Sequence, residues 1–242
     1  MLLERLSRPV RGVRIVKRGA LEHGNPACVQ IIPMRQLNKR DVERLLSHLD
    51  GNKELLVTSA LSPREREAFL DVGFVEREAL HLLRHQLQSV HQPPSNPRLK
   101  MRPGRRFDLN RVLSIDQQSF DHFWAMDKES LTAARKATPV HRYTVATIDN
   151  SVVGYAVTGR SGTASFLQRL GVDPEYRRNG IGSTLVADAL KWAKNNASAS
   201  MLVNTQDRNE QALQLYQHLG FELLTEKLKV LEWPRANATT TA

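Results

Sequence analysis

A β-branched run that breaks at a glycine turn and resumes with helical spacing constrains this chain more than any other feature. The run is "TASFLQRLGV" (163–172), the turn lies in "EYRRNGIGSTL" (175–185), and the resumption is "STLVADALKWA" (183–193). Leu185, Ala189, Leu190 and Ala193 fall on one face of the helical period, so the segment predicts strand, turn and helix in that order. The first N–H groups of such a helix lack partners within it, and its dipole favours negative charge there. Gly180 and Gly182 let the backbone approach an anion closely and take positive φ where required, while Arg177 and Arg178 add charge. Taken alone, the stretch reads either as a structural turn or as an anion site. It is not a Walker loop, because no Gly-Lys-Ser/Thr follows, and the spacing after Gly182 departs from the dinucleotide fingerprint.

The residues around it give the setting. "QPPSNPRLKMRPGRR" (92–106) holds four prolines and a glycine with no hydrophobic period, and reads as a linker. After it, Leu109, Val112, Leu113, Phe120, Phe123 and Trp124 follow helical spacing, and "ESLTAARKA" is a second short helix. "RYTVATI" and "SVVGYAVTG" are strands joined by Asp149-Asn150, which predicts a tight hairpin. "MLVNTQ" is a strand, and a helix follows with Asp207 and Glu210 spaced as a capping box and Gly220 as its stop. "ELLTEKLKVLEW" closes the order as a strand, so the class is mixed α/β.

The first part of the chain echoes the end. "LLVTSALSPREREAFLDVGF" (55–74) laid on "LVNTQDRNEQALQLYQHLGF" (202–221) sets Gly73 on Gly220, Phe69 on Tyr216, Ser62 on Asn209 and Thr58 on Thr205. This predicts an internal duplication. It is incomplete, because "IIPMRQLNKRDVERLLSHLDGNK" has no glycine between its strand and its helix. The expected division is a degenerate half over 1–90, a basic linker over 91–106, a working domain over 107–233 and a disordered tail over 234–242.

"LGVDPEYRRNGIGSTL" followed by "NTQDRNEQALQLYQHLGF" resembles the GNAT superfamily of acyl-CoA-dependent N-acyltransferases, across about residues 105–232. The family's turn, Gln/Arg-x-x-Gly-x-Gly/Ala, is met by Arg177, Gly180 and Gly182; its later helix, Asn-x-x-Ala-x-x-x-Tyr before Gly-Phe, by Asn209, Ala212, Tyr216, Gly220 and Phe221. The resemblance implies a twisted, mostly antiparallel sheet with two splayed central strands, preceded here by a smaller degenerate half. That two-half plan is similar to the mycothiol synthases. It also implies that acetyl-CoA, as cosubstrate, lies along Leu170, Gly171 and Val172 with its pyrophosphate on Arg177, Arg178, Asn179, Gly180, Ile181, Gly182 and Ser183, and that Asn209 lines it. Gly171 is read as the mark of a strand bulge or as a tolerated small residue.

Amide formation from a thioester needs a neutral amine and a proton for the departing thiolate. Tyr216 stands at the family's usual acid position, although Ala212, Leu215, Tyr216 and Leu219 also form a packing stripe. Many relatives carry a carboxylate three or four residues before the valine that ends the fourth strand; here those positions are Arg169 and Gln168. A water chain, Asp116, Asp121, His122 and Glu129 are the candidates left for a base, and Arg169 is a candidate for holding a carboxylate or phosphate of the acceptor. The expected activity is N-acetyl transfer by direct attack of a primary amine, on a small molecule or a protein, through a ternary complex. The alternative is a non-catalytic acyl-CoA sensor or scaffold.

Composition narrows the partners. A single cysteine, Cys28, allows no intramolecular disulfide and fits a reducing cytoplasm, and no apolar run approaches a bilayer-spanning length. Of the net charge of +10, half comes from 91–106, which carries five basic residues and no acid. With no aromatic residue among those charges, a solvated linker is the reading preferred over nucleic-acid binding. His81 and His85 have no further ligand nearby, so no metal is expected.

Overall fold

The computed structural model describes residues 11–18, 28–49, 54–90, 92–94 and 96–234, so the ends of the chain, including all but Pro234 of the expected tail, lie outside the described residues. The chain divides into two compact units, one of residues 1–80 with 226–242 and the other of residues 81–225.

In the first unit, β1 (Val13–Arg18) and β2 (Cys28–Pro33) pair antiparallel. Helix α1 (Lys39–Leu49) buries Val42, Leu45 and Leu49 and returns the chain so that β3 (Leu55–Thr58) runs parallel to β2. Helix α2 (Pro63–Leu70) follows, and then β4 (Val75–His85) begins. The neighbour of β3 on its other side is the end of the last strand, β10 (Glu222–Glu232). Val29, Ile31, Leu45, Phe69 and Leu231 meet in the core of this unit.

The second unit takes the end of β4 and adds β5 (Lys100–Pro103), α3 (Leu109–Ser119), α4 (Lys128–Arg135), β6 (Val140–Ile148), β7 (Ser151–Ser161), β8 (Ala164–Val172), α5 (Ile181–Asn195), β9 (Ser200–Gln206) and α6 (Glu210–His218). Its strands lie in the order β4-β9-β8-β7-β6-β5, with β5 to β8 antiparallel and β8 parallel to β9. The hairpin between β6 and β7 turns on Asp149 and Asn150 at φ 48° and 65°, as the sequence predicts for a turn that matches strand twist. Helices α3 and α4 cover one face, where Val112, Ile115 and Leu131 pack on Val145, Tyr155 and Val157. Helix α5 covers the other, with Ile181, Leu185 and Leu190 against Ala156, Leu167 and Met201. The architecture is mixed α/β with a mostly antiparallel sheet. No helix among the described residues is long and apolar enough to cross a membrane.

Three local expectations change. Lys100–Pro103, inside the stretch read as a linker, is β5, because its backbone completes the edge of β6 despite the prolines around it. Helix α3 stops at Ser119 and Phe120 is extended, so Phe120, Phe123 and Trp124 leave the helix that their spacing suggested and form the loop before α4. The cap of α6 is Asn209, whose side chain accepts from Ala212 N–H at 3.1 Å; the Asp207–Glu210 spacing starts two residues too early.

The echo between the two sequences has a geometric counterpart. Gly73 and Gly220 both take left-handed φ, 111° and 87°. Phe74 N–H reaches Phe69 O at 3.0 Å, and Phe221 N–H reaches Tyr216 O at 3.0 Å, the same five-residue return. Ser62 and Asn209 are the matching N-caps.

Candidate active site

The glycine turn has the form of an anion site. Gly180 is the N-cap of α5 at φ 73°, with no side chain to close the first turn, and a Cβ placed on it would meet nothing within 4 Å. Thr184 closes on Gly180 O through its N–H at 2.9 Å and its hydroxyl at 3.0 Å, while the cap supplies no side-chain acceptor for the earlier N–H groups of Ile181, Gly182 and Ser183. Arg177, Arg178 and Asn179 are exposed around this opening, and Arg178 also takes a left-handed φ of 62°. Asn179 braces the turn by donating to Tyr176 O at 3.3 Å, and Arg177 reaches Gln118 O at 3.5 Å. A Cβ on Gly182 would lie 3.4 Å from Leu215 Cδ2 and 3.9 Å from Val172 Cγ2, so this glycine brings the turn against the end of β8 and against α6.

The root of the turn is fixed by residues that the sequence reading passed over. Asp173, 2% exposed, accepts from Glu175 N–H at 3.0 Å and pairs with Arg111, whose Nε donates to Val152 O at 3.1 Å. An aspartate directly before Pro-Glu-Tyr was the available signal, since it suits the start of a short 3₁₀ turn.

Strand β8 leads from this turn into a gap. It pairs with β7 along its whole length but with β9 only over Ala164–Phe166, after which the two parallel strands separate. The β9-side edge of Leu170, Gly171 and Val172 is therefore free of strand pairing. Ser119 Oγ donates to Val172 O at 3.1 Å. The β8 bulge lies at Gln168, where the register passes from Val157↔Arg169 to Thr158↔Leu167, and not at Gly171. Gly171 has another reason to be small, since a Cβ there would stand 2.5 Å from the ring of Tyr155. The extra residue in the bulge turns both Gln168 and Arg169 toward the α3–α4 face. The Gln168 Oε1 is buried without a hydrogen-bond partner, close to the bare Cα of Gly159 and beside Thr138, whose hydroxyl is spent on Val140 O.

Arg169 is 8% exposed and Asp116 1%, and the two form a two-point ion pair at 2.7 and 2.9 Å. Arg169 Nη2 also donates to Trp124 O at 2.7 Å, and its guanidinium carbon lies 3.3 Å from the centre of the Phe120 ring. Tyr155, fully buried, donates its hydroxyl to Asp116, and Met126 N–H donates to Asp116 Oδ1 at 2.6 Å. Burial pushes the Tyr155 phenol well above its ordinary range, so it stays a donor. Asp116, a base candidate by sequence, is thus occupied on both oxygens. Tyr155 is the member that sequence reasoning missed; in a run of β-branched residues it reads as core.

Tyr216 lies on α6, 5% exposed, with its ring 5.6 Å from Phe221. Burial raises its pKa and the charge of Arg169 draws it back, so the phenol holds its proton and feels the guanidinium. Asn209 spends its side-chain oxygen on the α6 cap. Asp121 is paired with Arg208 and accepts from Gln206 at 3.3 Å, while His122 and Glu129 are exposed on the α3–α4 side. His81 stands 3.7 Å from Asp207, and among the described residues no group of three or more metal-ligating side chains comes together.

A strand edge open to one side, a helix start open to an anion and a phenol on the next helix suit a long phosphorylated thioester. Residues 109–221 match the model of the acetyltransferase (GNAT) family. The chain is 31% identical to the N-alpha-acetyltransferase RimI of Mycobacterium tuberculosis over 126 residues, 48% of this chain and 74% of that protein. It is 32% identical to an uncharacterised protein of Mycobacterium leprae over 48% of this chain, but spans only 32% of that relative, and only 16% of the human N-alpha-acetyltransferase 30 that it matches at 39% over 56 residues. Among solved structures, a GCN5-related N-acetyltransferase from Kribbella flavida shares the fold at a TM-score of 0.64, with 15% identity, 96% of this chain and 94% of that one. One from Sphaerobacter thermophilus shares it at 0.58, with 11% identity, 85% of this chain and 72% of that one. The chain belongs to the GNAT family of acetyltransferases.

Proposed function

We propose that residues 107–233 transfer an acetyl group from acetyl-CoA to a primary amine by direct attack within a ternary complex. The observation that carries this reading is the run from the open start of α5 along the unpaired edge Leu170–Val172 to the buried phenol of Tyr216. The pyrophosphate of the cosubstrate suits the N–H groups of Ile181, Gly182 and Ser183 with Arg177, Arg178 and Asn179 around them. Its pantetheine arm suits the β8 edge at Leu170, Gly171 and Val172, with Asn209 at the cap of α6 alongside. The amine nitrogen attacks the thioester carbonyl, the C–S bond breaks, and the thiolate takes the hydroxyl proton of Tyr216, which regains one as the new amide nitrogen sheds its proton through water. Relatives named as N-alpha-acetyltransferases favour the α-amine of a polypeptide as acceptor.

The test is thiol release from acetyl-CoA across pools of small amines, peptides and aminoglycosides, followed by initial rates with both substrates varied. Release with intersecting double-reciprocal lines supports the reading. Acetyl-CoA binding with no release in any pool replaces the enzyme by a sensor.

A further inference from the structure

The strand position where a carboxylate would draw a proton from the amine holds Arg169 instead, and the nearest acid is locked. Asp116 accepts from both Nε and Nη2 of Arg169, from Tyr155 and from Met126 N–H. A carboxylate so occupied, 1% exposed, is poorly placed to abstract a proton. The pair still has one unused corner. Arg169 spends Nε and Nη2 on Asp116 and Trp124 O, and Nη1, at the corner turned away from Asp116, donates to none of the described residues. This corner belongs to a β8 residue past Phe166, where β8 has already parted from β9.

Two chemical consequences decide what such a corner takes. Asp116 cancels the charge of Arg169, so a carboxylate placed on Nη1 would leave a net negative charge in a buried site. A neutral carbonyl oxygen brings no such charge and still receives a charge-assisted hydrogen bond. The second consequence concerns the nucleophile. With no free acid at the strand, the amine has to arrive neutral by itself. At pH 7.5 about a third of α-amines are neutral, with pKa about 7.7–8.0, against about one lysine in a thousand, with pKa about 10.4. An α-amine at a chain terminus also carries a carbonyl on the adjacent carbon, which a lysine side chain does not.

We propose that Arg169, held by Asp116, is the specificity-determining residue for the acceptor: its Nη1 donates to the first carbonyl of a polypeptide N-terminus, whose own low basicity replaces an enzyme base. In the step itself the neutral α-amine forms the N–C bond, the C–S bond breaks, the thiolate is protonated, and the ammonium proton leaves to water. The inference rests on the acetyl-transfer reading above, and replaces the expectation that Arg169 holds a carboxylate or phosphate of the acceptor.

The experiment uses the full chain, acetyl-CoA and three matched peptides: one with a free N-terminus and blocked lysines, one with a blocked N-terminus and a free lysine, and one with a free N-terminus and its first carbonyl changed to the weaker acceptor thiocarbonyl. The free N-terminus should exceed the lysine peptide by about a hundredfold in kcat/KM at pH 7.5. The thiocarbonyl should cost about fivefold or more in the wild type. That cost should vanish in the Arg169→Gln, Asp116→Asn double variant, which removes both charges together so that neither is left unpaired. With peptides of different amine pKa, the rising limb of kcat/KM against pH should move with the peptide. A limb that stays fixed reveals an enzyme base and overturns the proposal, as does equal use of the lysine peptide or no thiocarbonyl cost in the wild type, a measurement that needs no variant to fold. Release with small amines but none of the peptides defeats this inference alone; release with nothing defeats the acetyl-transfer reading as well.

Discussion

At the scale of single residues, burial sets the two groups with the most to say about pH and rate. Tyr216 keeps its proton because burial disfavours the phenolate, and Arg169 limits that penalty. Tyr216→Phe preserves the ring packing against Phe221 and removes only the hydroxyl, so kcat should fall by roughly tenfold to a hundredfold with the KM for acetyl-CoA little changed. Equal turnover by the two forms would return Tyr216 to the packing stripe. His85 belongs to stability instead. Its Nδ1 accepts from Leu87 N–H at 2.9 Å, holding a residue with φ 60°, and burial lowers its pKa from the usual histidine value. Because the folded state resists the proton that the unfolded state accepts, stability is full above about pH 6.5 and declines as pH falls through and below that value toward the folded pKa. The urea midpoint should therefore drop between pH 7.5 and 5.5, and the drop should be smaller in His85→Gln. Parallel slopes for the two proteins would rule His85 out as the source.

At the scale of elements, the two strand–helix turns make opposite use of a helix start. At α5 the cap is a bare glycine with two exposed arginines before it. At α1, Asn38 and Asp41 cap each other, Asp41 N–H to Asn38 Oδ1 at 3.0 Å and Asn38 N–H to Asp41 Oδ2 at 3.3 Å, and Arg35 donates to the same carboxylate at 2.9 Å. The hydrogen bonds from Arg35 and Asn38 hold Asp41 below its ordinary pKa, so a fixed negative charge already stands where a phosphate would go. Gly180 is the sharpest probe of the open turn. Gly180→Ala places its methyl in open space and imposes about 1–2 kcal/mol of left-handed strain. It should weaken acetyl-CoA by about tenfold or more, read as loss of the ligand-induced rise in melting temperature beyond the lowered apo value. An undiminished rise would make the turn only a turn. Gly182 is less clean, since a larger side chain there presses on Leu215, the neighbour of Tyr216, before it meets any ligand.

At the scale of the whole molecule, the prediction is one acetyl-CoA per chain, held after about residue 105, with the first unit as a degenerate duplicate. Phe69 has no hydroxyl where Tyr216 has one, and α1 offers a carboxylate where α5 offers bare N–H groups. Calorimetric titration of the full chain should give one equivalent, and two would sink this division. A fragment ending near residue 95 is the wrong object, because the first unit includes residues 226–242 and borders β3 with β10. Much of this was legible locally. The glycine turn, the Asp149-Asn150 hairpin and the two Gly-Phe stops depend on φ preferences and helix ends, which a few neighbouring residues decide. The sequence by itself thus determined most of the strands, turns and helices, and that the helix after β8 starts on a bare glycine. Only the tertiary structure decided that β5 joins the sheet, that the bulge sits at Gln168, and that Arg169 closes on Asp116, 53 residues away. Edge pairing, strand register and buried ion pairs are settled by partners distant in sequence, whose contact no local period encodes.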